Sequence, residues 1–158
     1  MNEILRSSSR ICIRRFLPSD ADALHKVLSD ADVMRYLEPP FTRAQTVRFL
    51  EEAGLSEPPL VYAAVLPQDG ACIGHVIYHP FGDAQTYELG WVLRRDCWGR
   101  GIASAITELL IADARERGFK GLVLECLPEQ TATRRIAQKY GFVYAGTAQG
   151  CMQFSRSL

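Results

Sequence analysis

The chain has 158 residues, 47% hydrophobic and 23% charged, and its 18 basic and 18 acidic side chains cancel to a formal net charge of zero. This size and balance predict a single soluble domain over residues 1–158. A neutral chain has no global field that attracts a polyanion, so nucleic acid is excluded as an expected partner. No segment approaches the ~18 consecutive apolar residues of a membrane span, and no signal-peptide pattern is present. We therefore expect a cytoplasmic protein without membrane association.

The cysteines and histidines indicate neither disulfides nor a metal site. The five cysteines are odd in number, lie far apart and form no C-x-x-C pair, which predicts free thiols in a reducing compartment. His25, His75 and His79 lack the spacing of metal ligands. We expect no metal.

The first half of the chain predicts a strand, two helices and an antiparallel meander. Apolar residues alternate with arginine from Ile11 to Phe16, and Ser19 is placed to cap a following helix. Thr42 and Gln45 form a capping box for a second helix, which Gly54 ends. Three β-rich runs joined by turn residues follow: Leu60–Leu66, Ala71–Tyr78 and Tyr87–Leu93.

The second half changes to alternating helices and strands. A helical period runs from Gly101 to Arg117, a short apolar strand from Leu122 to Cys126, and a last helix from Thr131 to Tyr140. Strands joined by a helix lie parallel, so the sheet must be mixed. A hairpin formed by 143–145 and 151–154 ends the pattern. We predict an α/β fold with a mixed, mostly antiparallel, twisted sheet of about seven strands and flanking helices.

The segment from Trp91 to Ser104 carries the strongest functional signal, a strand that enters a helix through a glycine-bearing turn. The first amides of a helix have no internal partner, so the turn is a natural site for an anion such as pyrophosphate. Gly99 and Gly101 let the backbone approach the anion. The turn lacks the G-K-[ST] of a P-loop, and its strand belongs to a meander, which excludes a dinucleotide fingerprint.

This turn resembles the pyrophosphate loop of the GCN5-related N-acetyltransferase (GNAT) superfamily, which reads [Q/R]-x-x-G-x-[G/A] and falls here on Trp98 to Ala103. Trp98 stands where the family has Gln or Arg. This departure is similar to the ribosomal-protein-alanine acetyltransferase (RimJ/RimL) branch, in which a W-G-[KR]-G-x-A string is common.

Two further resemblances occur in the family's order and extend over most of the chain. A second signature of the branch, N-x-x-[SA] followed by a K-x-G-F ending, corresponds to Gln130, Thr133, Lys139, Gly141 and Phe142. The segments 14–21 and 32–37 are similar to the family's first strand, helix entry and following turn. The resemblance implies an acyl-CoA N-acyltransferase fold whose sheet is split between Glu88–Leu93 and Leu122–Cys126.

For the cofactor, the resemblance implies acetyl-CoA as co-substrate in that split. The backbone of Trp91 to Leu93 is expected to pair with the pantetheine arm, and the amides from Gly99 to Ser104 to hold the pyrophosphate. The expected cofactor-binding residues are Trp91, Val92, Leu93, Arg94, Trp98, Gly99, Arg100, Gly101, Ile102, Ala103, Ser104, Gln130 and Thr133. Gln130 replaces the family's asparagine and is a poor helix cap.

For catalysis, an attacking amine must be neutral, so a base or a water chain to a base must lie near the thioester. Glu88 is the first candidate, because it stands in an otherwise apolar strand, and Glu125 is a weaker one. The amide of Leu93 is the expected oxyanion donor. Tyr36, Glu38, Phe41 and Glu125 are expected to contact the acceptor. Ala137 stands where many relatives have a proton-donating tyrosine.

The reaction implied is direct transfer of an acetyl group to a primary amine. The acceptor is left open between a small-molecule amine and a protein N-terminus, and the oligomeric state is also open, a homodimer included. The alternative is a non-catalytic regulatory module that keeps the fold and binds an acyl-CoA. Ala137 and Gln130 favour the module, whereas the glycine turn and Glu88 favour the enzyme.

Overall fold

Eight strands and four α-helices make up residues 3–158, the part of the chain that this computed structural model describes. The strands are β1 Ile4–Ser7, β2 Cys12–Arg14, β3 Val61–Val65, β4 Cys72–Phe81, β5 Asp83–Leu93, β6 Gly121–Cys126, β7 Val143–Ala148 and β8 Cys151–Ser157. The helices are α1 Ala21–Leu28, α2 Arg43–Phe49, α3 Ile102–Glu116 and α4 Thr131–Lys139.

The strands form one sheet in the order β1-β2-β3-β4-β5-β6-β8-β7. Every neighbouring pair is antiparallel except β5 and β6, which α3 connects as a parallel crossover. The prediction of a mixed, mostly antiparallel sheet is therefore confirmed.

The sheet is split between β5 and β6. The two strands pair only from Thr86 opposite Gly121 to Glu88 opposite Val123. Beyond Glu88, β5 continues for five residues beside β4, while β6 continues beside β8. The split therefore opens at Glu88, as predicted, and we call this point the apex and the space beyond it the gap.

Two apolar clusters cover the two faces of the sheet. One contains the buried side of α3 together with β5 and β6, including Leu89, Ile106, Leu110 and Leu122. The other packs α1 and the loop after it on β3, including Leu24, Leu28, Met34 and Val61. Because both faces are covered, the gap is held between two rigid layers.

The sequence missed β1, which makes the sheet one strand larger than predicted. Its residues show no alternation, and Ile4 is 57% exposed. The strand forms because it pairs with β2, while the Arg6 side chain contacts Asp113 and Glu116 of α3. A strand made by such long-range contacts leaves little local pattern.

The helix starts are partly as predicted. The Thr42–Gln45 capping box is present, with both reciprocal hydrogen bonds at 3.1 and 2.8 Å. Ser19 makes no cap, which is a correction: the Asp20 carboxylate instead accepts from the Leu17 amide at 2.7 Å. Asp20 is also ion-paired with Arg14, so the turn is tied to the sheet rather than capped by a hydroxyl. After Phe49, a π-helical turn over Leu50–Gly54 extends α2.

Candidate active site

A cleft of about 890 Å³ lies at the gap, and most of the predicted cofactor-binding residues line it. Of these it contains Trp91, Val92, Leu93, Trp98, Gly99, Gly101, Ile102, Ala103, Ser104, Gln130 and Thr133. We call this space the cofactor cleft. One wall is β5 and the start of α3, and the other is the start of α4.

The start of α3 offers free amides to the cleft. Gly101, just before the helix, has φ of 76°, a left-handed conformation that side chains disfavour. The first helical hydrogen bond runs from the Ala105 amide to the Gly101 carbonyl at 3.1 Å. The amides of Ile102, Ala103 and Ser104 therefore have no helical partner, and the helix dipole favours an anion there.

The arginines of the cofactor cleft differ from those selected from the sequence. Arg35, Arg95 and Arg135 line the cleft. Arg94 and Arg100 are not among the lining residues, because the Arg94 guanidinium bonds Asp96 at 2.6 Å and Arg100 is directed to the Cys97 sulfur at 3.8 Å. The positive charge available to a phosphate thus comes from three separate segments.

Two polar contacts set the rim of the cleft. The Arg95 guanidinium bonds Asp32 at 2.7 Å, which ties the loop after α1 to the loop before α3. The Trp98 indole N–H donates to the Leu93 carbonyl at 3.0 Å, while half of its surface stays exposed. Both contacts fix side chains at the mouth of the cofactor cleft.

The backbone of β5 presents alternate amides to the gap. The Arg94 amide donates to Ile73 of β4, and β5 pairs with β4 without a bulge from Tyr87 to Leu93. Amides alternate in direction along a strand, so that of Val92 faces β4 while those of Trp91 and Leu93 face the gap. The β5–β6 ladder ends at Glu88, which leaves Trp91 and Leu93 without a partner in β6.

A second cavity of about 350 Å³ lies beside the cofactor cleft, and we call it the acceptor cavity. Leu37 and Val92 line both spaces, so the two meet there. The acceptor cavity is lined by Leu28, Met34, Leu37, Glu38, Phe41, Phe49, Ala53, Leu60, Val61, His75, Ile77, His79, Glu88 and Val92.

The predicted acceptor residues are divided among three places. Glu38 and Phe41 line the acceptor cavity, whereas Tyr36 lines the cofactor cleft. Glu125 lines neither space. It stands on β6 two residues beyond Val123, the partner of Glu88, so both carboxylates are on the same face of the sheet.

At the apex, Glu88 forms a pair with His79 that sequence analysis missed. The His79 Nε2 lies 3.3 Å from Glu88 Oε1, and Nδ1 lies 2.9 Å from the Pro80 carbonyl. A carbonyl only accepts, so Nδ1 carries a proton. Nε2 and Glu88 attract each other only when a further proton is present between them. The contact with Glu88 raises the pKa of His79 above its ordinary value.

Glu125 has an environment suited to holding a proton. Partial burial raises the pKa of its carboxyl, and the nearby negative charge of Glu88 adds to this effect. Two carboxylates and one imidazole therefore lie near one another at the apex. Of the two carboxylates, Glu88 lines the acceptor cavity and Glu125 does not.

His75 is the second group that sequence analysis did not assign. Its side chain is 5% exposed, packs 5.0 Å from the Phe49 ring and lines the acceptor cavity. Within residues 3–158 its Nδ1 atom has no hydrogen-bond partner. Burial lowers the pKa of His75 to about 4, so the ring is neutral at physiological pH. His75 and His79 alternate with Ile77 on one strand face, a signal that the sequence did contain.

The last helix supplies no acid at the expected position. Ala137 is fully buried, and the Tyr140 hydroxyl donates to Glu108 on α3 at 2.8 Å. Gln130 makes no helix cap, and its side-chain oxygen instead accepts from the Leu127 amide at 2.8 Å. The amide side chain therefore orders the turn before α4 beside the cofactor cleft.

Two other classes of site are absent from the described part of the chain. Residues 3–158 contain no group of three or more His, Cys, Asp or Glu side chains arranged to hold a metal ion. Within the same residues, no helix has the length and apolar character needed to cross a membrane.

Comparison with known proteins gives concordant results. A family model described as "Acetyltransferase (GNAT) domain" matches residues 10–143. The Bacillus subtilis (strain 168) protein named "Uncharacterized N-acetyltransferase YnaD" is 27% identical over 152 residues, which cover 92% of this chain and 86% of that protein.

Solved structures share the fold at lower identity. A GNAT-family acetyltransferase from Bacillus anthracis matches with a TM-score of 0.86 and 24% identity, over 98% of this chain and 97% of that one. RimL, a ribosomal L7/L12 α-N-protein acetyltransferase solved in its apo form, matches with a TM-score of 0.82 and 18% identity, over 100% and 96%.

Proposed function

Because the chain belongs to the GNAT acetyltransferase family, as its sequence motifs predicted, we propose that it transfers an acetyl group from acetyl-CoA directly to a primary amine. The observation that carries the proposal is the meeting of two spaces at Val92. The cofactor cleft has a built anion site at one end, and the acceptor cavity has a carboxylate–imidazole pair beside the apex. The arm of a cofactor held at the anion site would run back along β5 from Leu93 toward the apex, so its thioester would approach an amine held beside Glu88.

In this proposal the anion site holds the pyrophosphate. The free amides of Ile102, Ala103 and Ser104 donate to phosphate oxygens, and Arg35, Arg95 and Arg135 supply positive charge. The backbone of Trp91 and Leu93 faces the gap and can pair with the amides of an extended arm, as a further strand would. The cofactor site is thus made mainly of backbone.

The arriving ammonium must lose a proton before it attacks. Glu88 is the proposed base, and His79 shares the proton that Glu88 accepts, because the two side chains are in contact. Glu125 lies on the same face, and its raised pKa suits it to holding a proton beside this pair. The proton moves from the amine nitrogen to the Glu88–His79 pair, directly or through water.

Negative charge that develops on the carbonyl oxygen requires a donor in the gap. Glu88 and Leu93 are five residues apart on β5, or ~17 Å at 3.4 Å per residue, too far for both to contact one acetyl group. The amide of Trp91 also faces the gap and is only three residues from Glu88. We therefore assign the oxyanion contact to Trp91 and the pairing with the cofactor arm to Leu93.

The departing thiolate has no tyrosine at the expected position, since Ala137 is buried there. The nitrogen that has attacked loses a second proton as the amide forms, and this proton is proposed to pass to the thiolate, directly or through water. The acceptor is a small amine or a protein N-terminus, and the homodimer remains compatible with either. The location proposed is the cytoplasm.

Thermal melting with and without acetyl-CoA tests the first step. A ligand present at a hundredfold its dissociation constant stabilises a protein by about 2.7 kcal/mol, so a clear rise in melting temperature is expected. Thiol release in the presence of amines then tests transfer. Binding without transfer to any amine would support the alternative of a regulatory acyl-CoA-binding module, and no binding would overturn both readings.

A further inference from the structure

The acceptor cavity has a polar end and an apolar interior. His79 and Glu88 are cross-strand partners at one end, and His75 and Val92 are cross-strand partners at the other. The two pairs are four residues apart, or ~14 Å along the strands. Between them, the space is bounded by apolar side chains that include Phe41, Phe49 and Ile77.

The charges of this cavity suit one ammonium group. Of its two carboxylates, Glu38 is exposed to solvent, whereas Glu88 is partly buried and paired with His79. Of the described residues that line the cavity, none is lysine or arginine. A polycationic ligand could bring one further charge to the exposed Glu38, but its remaining charges would lie against apolar walls without a partner, which is strongly unfavourable.

The size of the cavity also limits its ligand. A volume of about 350 Å³ equals that of roughly twelve water molecules. This is enough for one aromatic or branched aliphatic group together with its amine.

His75 adds a specific feature to the far end. A buried polar atom without a partner lowers stability, and native proteins contain few such atoms. This ring is more than nine-tenths buried, lines the cavity and has an unpartnered Nδ1 in the described chain. A ligand that brings a hydrogen-bonding group to this end would reach His75, the one polar side chain that the described lining places there.

We infer that the acceptor is a monoamine whose apolar body lies along Phe41, Phe49 and Ile77 and ends in one hydrogen-bonding group beside His75. The inference rests on the proposed acetyl transfer and names its substrate class. A phenol or an indole on a short amine-bearing chain has this chemistry. Such a group belongs either to a free aromatic amine or to the aromatic first residue of a peptide.

The test compares acceptors by kcat/KM in the thiol-release assay. Tyramine and 2-phenylethylamine probe the free amines, and tetrapeptides that begin with Tyr or Ala probe the N-terminus. Spermidine and kanamycin probe the polycations. We expect the aromatic amines or the Tyr peptide to exceed both polycations at least tenfold, and whichever of the two aromatic sources is preferred identifies the natural one.

Two variants connect this preference to the cavity. Ala53→Leu narrows the apolar interior and should lower the ratio of kcat/KM for tyramine to that for ethylamine at least fivefold. Ala84→Leu, on the exposed start of β5 outside the cavity, is the matched control and should leave the ratio unchanged. An unchanged ratio in Ala53→Leu would place the acceptor elsewhere.

His75→Phe tests the polar end with a side chain of similar shape. The wild-type protein should prefer tyramine to 2-phenylethylamine about tenfold, and the variant should lose this preference while it still accepts 2-phenylethylamine. Equal use of the two amines by wild type would overturn the role of His75. Preference for spermidine or kanamycin would overturn the substrate class but leave acetyl transfer intact, whereas turnover of no amine would overturn the proposed function itself.

Discussion

The cofactor cleft and the acceptor cavity share Val92 but are built in different ways. The cleft depends on backbone: free amides at the start of α3, gap-facing amides of β5 and the left-handed turn at Gly101. The cavity depends on side chains from α1, α2, the loops beside them and three strands. Backbone fits any ligand with the same phosphate and amide groups, whereas side chains can change without altering the fold. We therefore expect the backbone architecture to decide which cofactor binds and the side chains to decide which acceptor binds.

The largest effect is expected from a substitution that blocks the free amides at the start of α3, which should abolish cofactor binding. Gly101→Trp should abolish the thermal shift caused by acetyl-CoA, because an indole would cover the free amides of α3. Gly118 ends the same helix with the same φ of 76°, and its surroundings are open. Gly118→Trp is therefore a control with equal backbone strain and should keep the full shift. Loss of the shift in both variants would mean that strain, not the anion site, is responsible.

The second-largest effect is expected from substitutions at the apex, which should lower kcat. Glu88→Gln should lower kcat about 100-fold or more while acetyl-CoA affinity stays within twofold, since general base catalysis contributes 10²- to 10⁴-fold. His79→Gln should lower kcat less and shift the rising limb of the pH–rate profile. Glu125→Gln keeps the size of the side chain and serves as comparison. If Glu125→Gln loses more activity than Glu88→Gln, Glu125 is the base.

The pH dependence of stability should distinguish the two ends of the acceptor cavity. Burial lowers the pKa of His75 to about 4. Between pH 4 and pH 6.5 the imidazole therefore binds a proton in the unfolded chain but not in the native state. Its contribution is present above pH 6.5 and is lost as the pH falls toward 4, by about 3 kcal/mol. His79 has its pKa raised, so its contribution is present below pH 6.5 and is lost as the pH rises through the folded value.

Denaturant titrations of wild type and His75→Phe between pH 4 and 8 measure these contributions. The variant should be at least as stable as wild type at pH 7, because the unpartnered nitrogen is gone, and its advantage should grow in acid. A variant that loses stability at every pH would show that the imidazole has a partner in solution.

The smallest effect concerns the rim. Asp32→Asn weakens the exposed contact with Arg95, and such pairs contribute only about 0.2–1 kcal/mol. Arg95 then becomes more available to a phosphate, so acetyl-CoA affinity should rise by twofold to fivefold with little change in melting temperature of the free protein. Isothermal titration at low salt checks this, and a weaker affinity would indicate that the pair orders the cleft.

The difference between the two sites also explains what could be predicted from the sequence. The strand–turn–helix around Gly101 is local, so its position was found from neighbouring residues, whereas the split at Glu88 was implied by the family resemblance. Arg35 and Arg135 approach the cleft from the loop after α1 and from α4, and no local pattern selects them over Arg94 and Arg100. His79 contacts Glu88 because the register between β4 and β5 places the two residues opposite each other. The residue pattern of either strand alone does not reveal that register. β1 was missed for the same reason.

Both tryptophans of the chain, Trp91 and Trp98, line the cofactor cleft, and the described lining of the acceptor cavity contains neither. The protein thus carries its own optical reporter. A change in intrinsic indole emission on adding acetyl-CoA would follow the first binding event without a label. Because no indole lies beside an amine in the acceptor cavity, the same signal allows the order of binding of the two substrates to be resolved by stopped flow.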